Sequence, residues 1–403
     1  MAENKYNKQF KVLVVDDNVT NIQVVGNILK QANFAVGFAM NGQQALDILY
    51  KTPDFDLVLL DIDMPILNGF DTIKIIRLDE RLKDIPVIFL TAHHDSEKIV
   101  EGFDLGAQDY LTKPFNTKEL MARVHTHLQL KYTSDELKHM YSALESKNNN
   151  ITNSINYANY IQHAMLPNVA LLNDMFSDYF IINKPKDNIS GDFYWFQKIG
   201  HCFYIAAADC TGHGVPGAMM SMLGLSRLNY ILNNQIKAPN VILNELRSFI
   251  KESLHSIDND IASYNGIDIS LCLINTETKT LEFSGAYNSL LYFKKEGAQT
   301  ELIEIEADRM PVGAHPKDNM DFTNHELDLT NIHSFYIASD GYYSQLGGEK
   351  TKVFTKKRYR NLLFEHHEKT MSDQHQVIEQ QFSEWQGEEE QTDDVLLMGM
   401  KLK

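Results

Sequence analysis

Short apolar runs alternate with amphipathic stretches through the first third of the chain. Phe10-Lys-Val-Leu-Val-Val15 is mostly apolar and is followed at once by Asp16-Asp17-Asn18. From Asn21 to Gln31, Ile22, Val25, Ile28 and Leu29 fall at helical spacing. The pattern then repeats. Asp56-Leu-Val-Leu-Leu60 ends on Asp61, Pro86-Val-Ile-Phe-Leu90 ends on Thr91, and Asp109-Tyr-Leu-Thr112 ends on Lys113-Pro114. Buried strands that alternate with helices predict a doubly wound parallel sheet. In that architecture the carboxyl ends of the strands open into one crevice. Asp16, Asp17, Asp61, Thr91 and Lys113 are therefore expected to converge.

After residue 127 the period changes. Leu130, Leu137, Leu144, Ile151, Ala158 and Met165 recur every seventh residue, the spacing of a coiled-coil seam. The companion positions Thr133, Met140, Lys147, Ser154 and Ile161 are mixed, and Asn148-Asn-Asn150 lowers helix propensity mid-way. The pattern predicts a helical connector over 128–166, stopping at Pro167, that pairs with its twin in a homodimer. A single helix lying on one of the flanking domains is the alternative.

The last part of the chain reads as antiparallel strands with acids at their ends. Asp192-Phe-Tyr-Trp-Phe196 starts a strand, Gln197-Lys-Ile-Gly200 makes a turn, and the run from Cys202 returns to stop at Asp209. A hairpin brings Asp192 and Asp209 together at its open end. Ser334-Phe-Tyr-Ile-Ala338 leads to Asp340, and Asp393-Asp394 opens the final strand. Antiparallel pairing would gather Asp192, Asp209, Asp340 and Asp393 on one sheet edge. Gly212, Gly214 and Gly217 after Asp209 suit a turn at which backbone approaches a ligand closely.

Composition narrows the function. A length of 403 residues predicts two or three domains. A net charge of −17 argues against nucleic acid as a partner. Cys202, Cys210 and Cys272 are few and lack metal-ligand spacing, which suits a reducing compartment. The polar start Met1-Ala-Glu-Asn-Lys-Tyr resembles no signal peptide, and no window reaches the ~18 apolar residues of a membrane span. A cytoplasmic protein without a membrane segment is expected.

Both clusters of acids have a chemical reading. Three carboxylates in the first can hold one hard cation such as Mg²⁺. Asp61 can attack a phosphoryl donor, Lys113 can neutralise the oxygens, and Thr91 can bond the phosphate formed. In the second, four carboxylates cannot crowd together without cations. Oxygen ligands without histidine or cysteine favour Mg²⁺ or Mn²⁺ over zinc. Two such ions can activate a shared water against a phosphoester, with no covalent enzyme intermediate.

The motifs carry two resemblances. Asp16-Asp17, Leu60-Asp61-Ile-Asp-Met-Pro65 with Asn68-Gly69, Thr91-Ala92 and Lys113-Pro114-Phe115 resemble the receiver domain of two-component response regulators. That resemblance implies Asp61 as phosphoacceptor, Asp17 and Asp61 as direct Mg²⁺ ligands, Asp16 acting through water, and the backbone carbonyl of Asp63 as a further ligand. It also implies Tyr110 as a switch aromatic responding to Thr91, a cis Lys113–Pro114 bond, and a sensor histidine kinase or phosphotransfer protein as partner.

Ser190-Gly-Asp-Phe-Tyr-Trp195, Ala208-Asp-Cys-Thr-Gly-His-Gly-Val-Pro-Gly-Ala218, Ser339-Asp-Gly341 and Thr392-Asp-Asp394 resemble the PPM (type 2C-like) serine/threonine phosphatases of the bacterial sporulation and stress-response branch. Residues 154–167 resemble the helix that precedes the catalytic domain in such enzymes. The resemblance implies a four-layer αββα fold with two packed antiparallel sheets. By it, Asp192 bridges two Mn²⁺ or Mg²⁺ ions, Asp209 and the Cys210 carbonyl hold one, and Asp340 and Asp393 hold the other. Asp394 lies behind the ligands. His213 is either a general acid to the leaving oxygen or a turn residue. The implied substrate is a phosphoserine or phosphothreonine on an anti-sigma-factor antagonist. The expected organisation is a receiver at 1–127, a connector at 128–166 and a phosphatase domain at 167–403, with Asp61 phosphorylation controlling hydrolysis. The alternative is a non-catalytic adaptor that binds a sigma factor or its antagonist when Asp61 is phosphorylated.

Overall fold

The computed structural model describes residues 9–92, 96–233, 235–254, 266–296, 299–317 and 319–403. The chain divides into two compact units, Met1–Asn148 and Asn149–Lys403.

The first unit alternates as its sequence predicts: β1 (Lys11–Val15), α1 (Val19–Gln31), β2 (Ala35–Ala39), α2 (Gly42–Lys51), β3 (Leu57–Asp61), α3 (Gly69–Leu78), β4 (Val87–Thr91), α4 (Ser96–Asp104), β5 (Asp109–Thr112) and the start of α5 (Thr117–Met165). The sheet has five strands in the order β2-β1-β3-β4-β5, and every pairing is parallel. β3 and β4 are buried along their whole length because helices cover both faces. Asn18, Asn41 and Asn68 cap α1, α2 and α3 by accepting backbone N–H bonds, which fixes where each helix leaves the strand ends.

α5 is one continuous helix of 49 residues and runs through Asn148-Asn-Asn150 without a break. Its first turns bury Leu120, Val124 and Leu128 against the parallel sheet. It is tied to β5 by Asp109, which pairs with Arg123 and with His127 at 3.1 Å. Farther along, Leu130, Leu137, Leu144 and Ile151 are each more than half exposed. Among the described residues no helix is long and apolar enough to cross a membrane.

The second unit takes in the end of α5 and then a short 3₁₀ turn at Val169–Asp174. Its elements are β6 (Phe176–Lys184), β7 (Phe193–Ile199), β8 (Cys202–Cys210), α6 (Gly214–Leu232), α7 (Pro239–Leu254), β9 (Gly266–Asn275), β10 (Thr280–Ala286), β11 (Leu290–Glu296), β12 (Gln299–Ile305), β13 (Val312–Gly313), β14 (His325–Asp328), β15 (Ile332–Ala338), the short α8 (Gly341–Ser344), β16 (Leu346–Gly347), β17 (Lys352–Val353), α9 (Lys356–His366), α10 (Met371–Gln386) and β18 (Val395–Leu402). One antiparallel sheet runs β14-β10-β9-β8-β7, with β13 also on β9; the other runs β12-β11-β15-β18-β6.

Three apolar clusters define four layers. Phe203, Ile205, Phe335, Ile337, Leu396 and Met398 fill the space between the two sheets. Leu225, Leu228, Ile242 and Leu246 of α6 and α7 cover the outer face of the first sheet. Leu362, Leu363, Ile378 and Phe382 of α9 and α10 cover the outer face of the second. This is the αββα sandwich.

The β7–β8 hairpin is longer than its sequence predicts. Gln197 and Lys198 belong to β7 and pair with Tyr204 and Phe203, so the turn is only Gly200-His201. Gly200 has φ +57°, which lets two residues close the hairpin. Gln197 and Lys198 look like turn residues because they are polar, but Lys198 is exposed and Gln197 half-buried within the strand.

Candidate functional site

In the first unit, the strand ends bring the expected residues together. Asp16, Asp17 and Asp61 offer carboxylate oxygens that all lie within 4.8 Å of one another. Lys113 Nζ bonds Asp16 Oδ2 and Asp61 Oδ2, each at 2.8 Å. Asp16 and Asp61 are buried and Asp17 is exposed. Burial raises the Asp61 carboxyl above its ordinary range, against the lowering pull of Lys113. Burial works against the Lys113 charge, but its bonds to Asp16 and Asp61 win and raise its pKa. Asn21 Nδ2 donates to both Asp16 oxygens, at 3.1 Å each, and holds that carboxylate in place.

Thr91 is buried beside Asp61 at the end of the neighbouring strand. Asp63 turns its side chain outward to Lys98 at 3.4 Å. Tyr110 is half-buried, with Phe103 against its ring at 6.1 Å and the Arg123 guanidinium 5.6 Å from its centroid. Thr91, Phe103 and Tyr110 line one small cavity. The Lys113–Pro114 bond is cis.

In the second unit, strand alternation explains how the acids meet. On β8, Ala206, Ala208 and Cys210 face the helix-covered side, while Ile205 and Ala207 face the other sheet. Asp209 continues the second set and so stands at the open edge of the sandwich. Phe193 pairs with Ala208, so Asp192 lies at the same end. Asp340 follows β15 and Asp393 precedes β18, and these two strands pair antiparallel. The charges of Asp192 and Asp340 both act on the Asp209 carboxyl. Asp393 is half-buried, and its charge acts on all three.

The electrostatics of this edge are severe. Burial drives the carboxyls of Asp192, Asp209 and Asp340 above the usual carboxylate range, and the charges of neighbouring acids, Asp393 acting on all three, add to it. Asp192 is 3% exposed. Its Oδ2 accepts from Ser339 Oγ at 2.5 Å, while its Oδ1 is buried with no partner. A buried, unpartnered carboxylate oxygen facing other carboxylates needs a proton or a cation. The donor set is all oxygen, which fits a hard divalent ion.

A fifth acid joins the group. Asp268 pairs directly with Asp209 across β8 and β9. Its carboxyl is pushed up to about 7 by burial and by the Asp340 charge. The sequence signal was a lone acid in the apolar strand Gly266-Ile-Asp-Ile-Ser-Leu, on the parity that faces the other sheet.

The loop that delivers Asp192 is held from two sides. Asp394 is buried; its Oδ1 accepts from Lys186 N–H at 2.7 Å and its Oδ2 from Gly191 N–H at 2.6 Å. From α5, Gln162 Nε2 donates to the Ser190 carbonyl at 2.5 Å and to Ser221 Oγ at 2.7 Å. Gln162 Oε1 accepts from Ser190 N–H at 3.2 Å. Gln162 was not anticipated; a glutamine inside Tyr160-Ile-Gln-His-Ala-Met-Leu was its only mark in the sequence. The turn after Asp209 uses φ +90° at Gly212 and φ +66° at Gly214, a region that other residues rarely enter.

His213, between those glycines, precedes α6 and makes no side-chain cap. Its Nδ1 meets Asp187 Oδ2 at 2.7 Å, on the exposed side of the turn. The Cys210 side chain packs into the helix-covered core, and burial pushes its thiol pKa up. Only the Cys210 backbone faces the acid edge, so a thiolate ligand does not fit.

Comparison with known proteins divides along the same lines. A family model described as the response regulator receiver domain matches residues 12–125. One described as stage II sporulation protein E (SpoIIE) matches residues 200–403. The chain is 28% identical to the SiaA-PP2C domain of Pseudomonas aeruginosa, with a TM-score of 0.56 over 64% of this chain and 99% of that one. A probable cyclic di-GMP phosphodiesterase of Vibrio cholerae is 42% identical over 34% of this chain and 31% of its own length. The transcriptional regulatory protein CpxR of Escherichia coli is 41% identical over 31% of this chain and 52% of its own length. The chain thus spans about a third to a half of those curated relatives.

Proposed function

The chain belongs to the stage II sporulation protein E (SpoIIE) family and carries a response-regulator receiver domain, and from that premise we propose that phosphorylation of Asp61 controls a metal-dependent protein serine/threonine phosphatase. The observation that carries this reading is Asp192: buried, with one oxygen held by Ser339 and the other unpartnered beside Asp209.

Asp192, Asp209, the Cys210 carbonyl, Asp340 and Asp393 hold two Mn²⁺ or Mg²⁺ ions in this reading, with Asp268 beside them. When bound, such ions polarise a phosphoryl group and lower the pKa of a bound water. The protein's own part is to hold the carboxylates in place before metal arrives. Ser339 fixes the Asp192 carboxylate, and Asp394 and Gln162 fix the loop that carries it. His213, oriented by Asp187, supplies a proton to the leaving serine or threonine oxygen.

In the receiver, Asp16, Asp17, Asp61 and the Asp63 carbonyl hold one Mg²⁺. Asp61 takes the phosphoryl group from a histidine kinase or phosphotransfer protein. Lys113 neutralises the phosphoryl oxygens, and Thr91 and Tyr110 respond to them. The substrate class is a phosphoserine or phosphothreonine protein, an anti-sigma-factor antagonist by family resemblance. The exposed seam of α5 supports pairing of two chains through the connector.

Purified full-length protein with Mn²⁺ and a phosphoserine protein substrate tests the activity. Hydrolysis is expected, with loss of at least about a hundredfold in Asp209→Ala. Hydrolysis that survives this substitution would sink the assignment.

A further inference from the structure

The stretch Lys350-Thr-Lys-Val-Phe-Thr-Lys-Lys-Arg-Tyr-Arg360 holds six cations and no acid, in a chain whose net charge is −17. It forms β17 and the first turn of α9. Some of this charge is spoken for. The Arg358 guanidinium lies 4.2 Å from the Trp385 ring centroid, and Arg360 pairs with Glu304 at 2.9 Å. Lys356 is different. It is exposed, forms no ion pair among the described residues, and holds its ammonium 5.0 Å over the Tyr343 ring.

Beneath Lys356 is a cavity of about 30 Å³, lined by Tyr336, Tyr343, Tyr359, Lys356, Arg360 and Glu304 among others. That exceeds what one water molecule needs. Tyr359 is 3% exposed, and its hydroxyl has no hydrogen-bond partner. Its electrostatic neighbours are Tyr343, Tyr336, Tyr342 and Glu304, three of which wall the cavity. An unpaired buried hydroxyl is unfavourable unless something fills the space beside it.

The cavity adjoins the acid edge. Ala338 forms part of its wall, two residues before Asp340. The Lys356 charge acts on Asp340, and the charges of Asp340, Asp209 and Asp268 act on the Tyr343 phenol. A side chain in the cavity would therefore sit next to the reacting phosphate. The ammonium at the rim and the free phenol at the wall select an anionic acceptor small enough for the space.

We propose that the Tyr343–Lys356–Tyr359 pocket is a specificity subsite that receives an aspartate or glutamate flanking the phosphorylated residue of the protein substrate. The assignment rests on the phosphatase reading and adds its sequence preference. The basic stretch around the pocket draws acidic segments toward an otherwise acidic protein.

The test uses full-length protein, Mn²⁺ and synthetic phosphoserine peptides that differ only in carrying Asp, Ala or Lys at each of the two positions before and after the phosphoserine. At one of those positions kcat/KM is expected to be about tenfold higher for Asp than for Ala. Lys356→Glu should bring that ratio to about one or below. Tyr359→Phe, which removes only the unpartnered hydroxyl, should lower it by about threefold. The ratio is internal to each variant, so a partial loss of folded protein cancels. Equal rates for all peptides, or a preference that survives Lys356→Glu, would overturn the subsite while leaving the phosphatase assignment intact. Hydrolysis of none of them would overturn both.

Discussion

Gln162 and Ser190 exchange two hydrogen bonds: the side-chain amide of Gln162 donates to the Ser190 carbonyl at 2.5 Å and accepts from its N–H at 3.2 Å. A side chain of α5 thus takes the place of a strand partner for the backbone two residues before Asp192. Gln162→Ala leaves the buried Ser190 N–H without its partner and takes the shortest bond from the Ser190 carbonyl, while Ser221 Oγ keeps the Ala218 carbonyl at 2.8 Å, a loss of about 1–3 kcal/mol. Because the loop carries Asp192, the expected result is about tenfold weaker Mn²⁺ binding with a matching fall in phosphatase rate at limiting metal. Calorimetric titration of Mn²⁺ into the variant checks this. Unchanged affinity would mean that Asp394 alone holds the loop.

The acid edge makes the metal-free protein sensitive to pH. Burial and the Asp340 charge push the folded-state Asp268 carboxyl up to about 7, above an ordinary aspartate, and Asp192, Asp209 and Asp340 shift in the same direction. The folded state therefore binds protons more tightly than the unfolded state. The stability this contributes is complete below about pH 4 and is lost as pH rises toward and through 7. Urea midpoints of the metal-free protein should fall between pH 5 and pH 7.5. Added Mn²⁺ should raise the midpoint most at the upper end, where the carboxylates are ionised. Asp268→Asn should flatten the metal-free slope.

Much of this arrangement is legible because apolar runs stop on acids. Strand β3 ends on Asp61, and β8 runs straight into Asp209, so burial and chemistry share one boundary. Hairpin logic then brings Asp192 to Asp209, and the observed register bears that out. Other features leave a weaker trace. β2 is an edge strand with Gly37 at its centre and little full burial, so its pattern is faint. Asp268 is isolated inside an apolar strand, and only its parity and pairing with Asp209 reveal it. Helix propensity argues against Asn148-Asn-Asn150, at about 0.7 kcal/mol per asparagine relative to alanine, yet α5 continues through it. Gln162 acts through contacts 28 and 59 residues away, which no local pattern contains.

Phosphorylation of the receiver should depend on one carboxylate and one cation. Incubation with Mg²⁺ and a small phosphoryl donor is expected to add one phosphoryl group, read by intact mass. Asp61→Asn should abolish the addition, and chelation of Mg²⁺ should do the same. Lys113→Ala removes the partner that Asp16 and Asp61 share, which should destabilise the receiver by about 3 kcal/mol without metal. Mg²⁺ should recover part of that loss by replacing the missing positive charge. Mass addition in Asp61→Asn would reassign the acceptor.

The connector predicts an oligomeric state. Leu130, Leu137, Leu144 and Ile151 sit seven residues apart on α5 and are 60%, 64%, 57% and 58% exposed. Four large apolar side chains on one helix stripe are poorly matched to water, and a second copy of the same stripe would bury them by knobs-into-holes packing. The companion positions include Lys147 and Ser154, so the pairing should be modest and concentration-dependent. Light scattering over a range of concentrations should show a dimer that Leu137→Glu with Leu144→Glu dissociates. Both substitutions lie on exposed positions, so the folded units should keep their circular dichroism. A monomer at every concentration, with and without a phosphoryl mimic at Asp61, would rule out the paired connector.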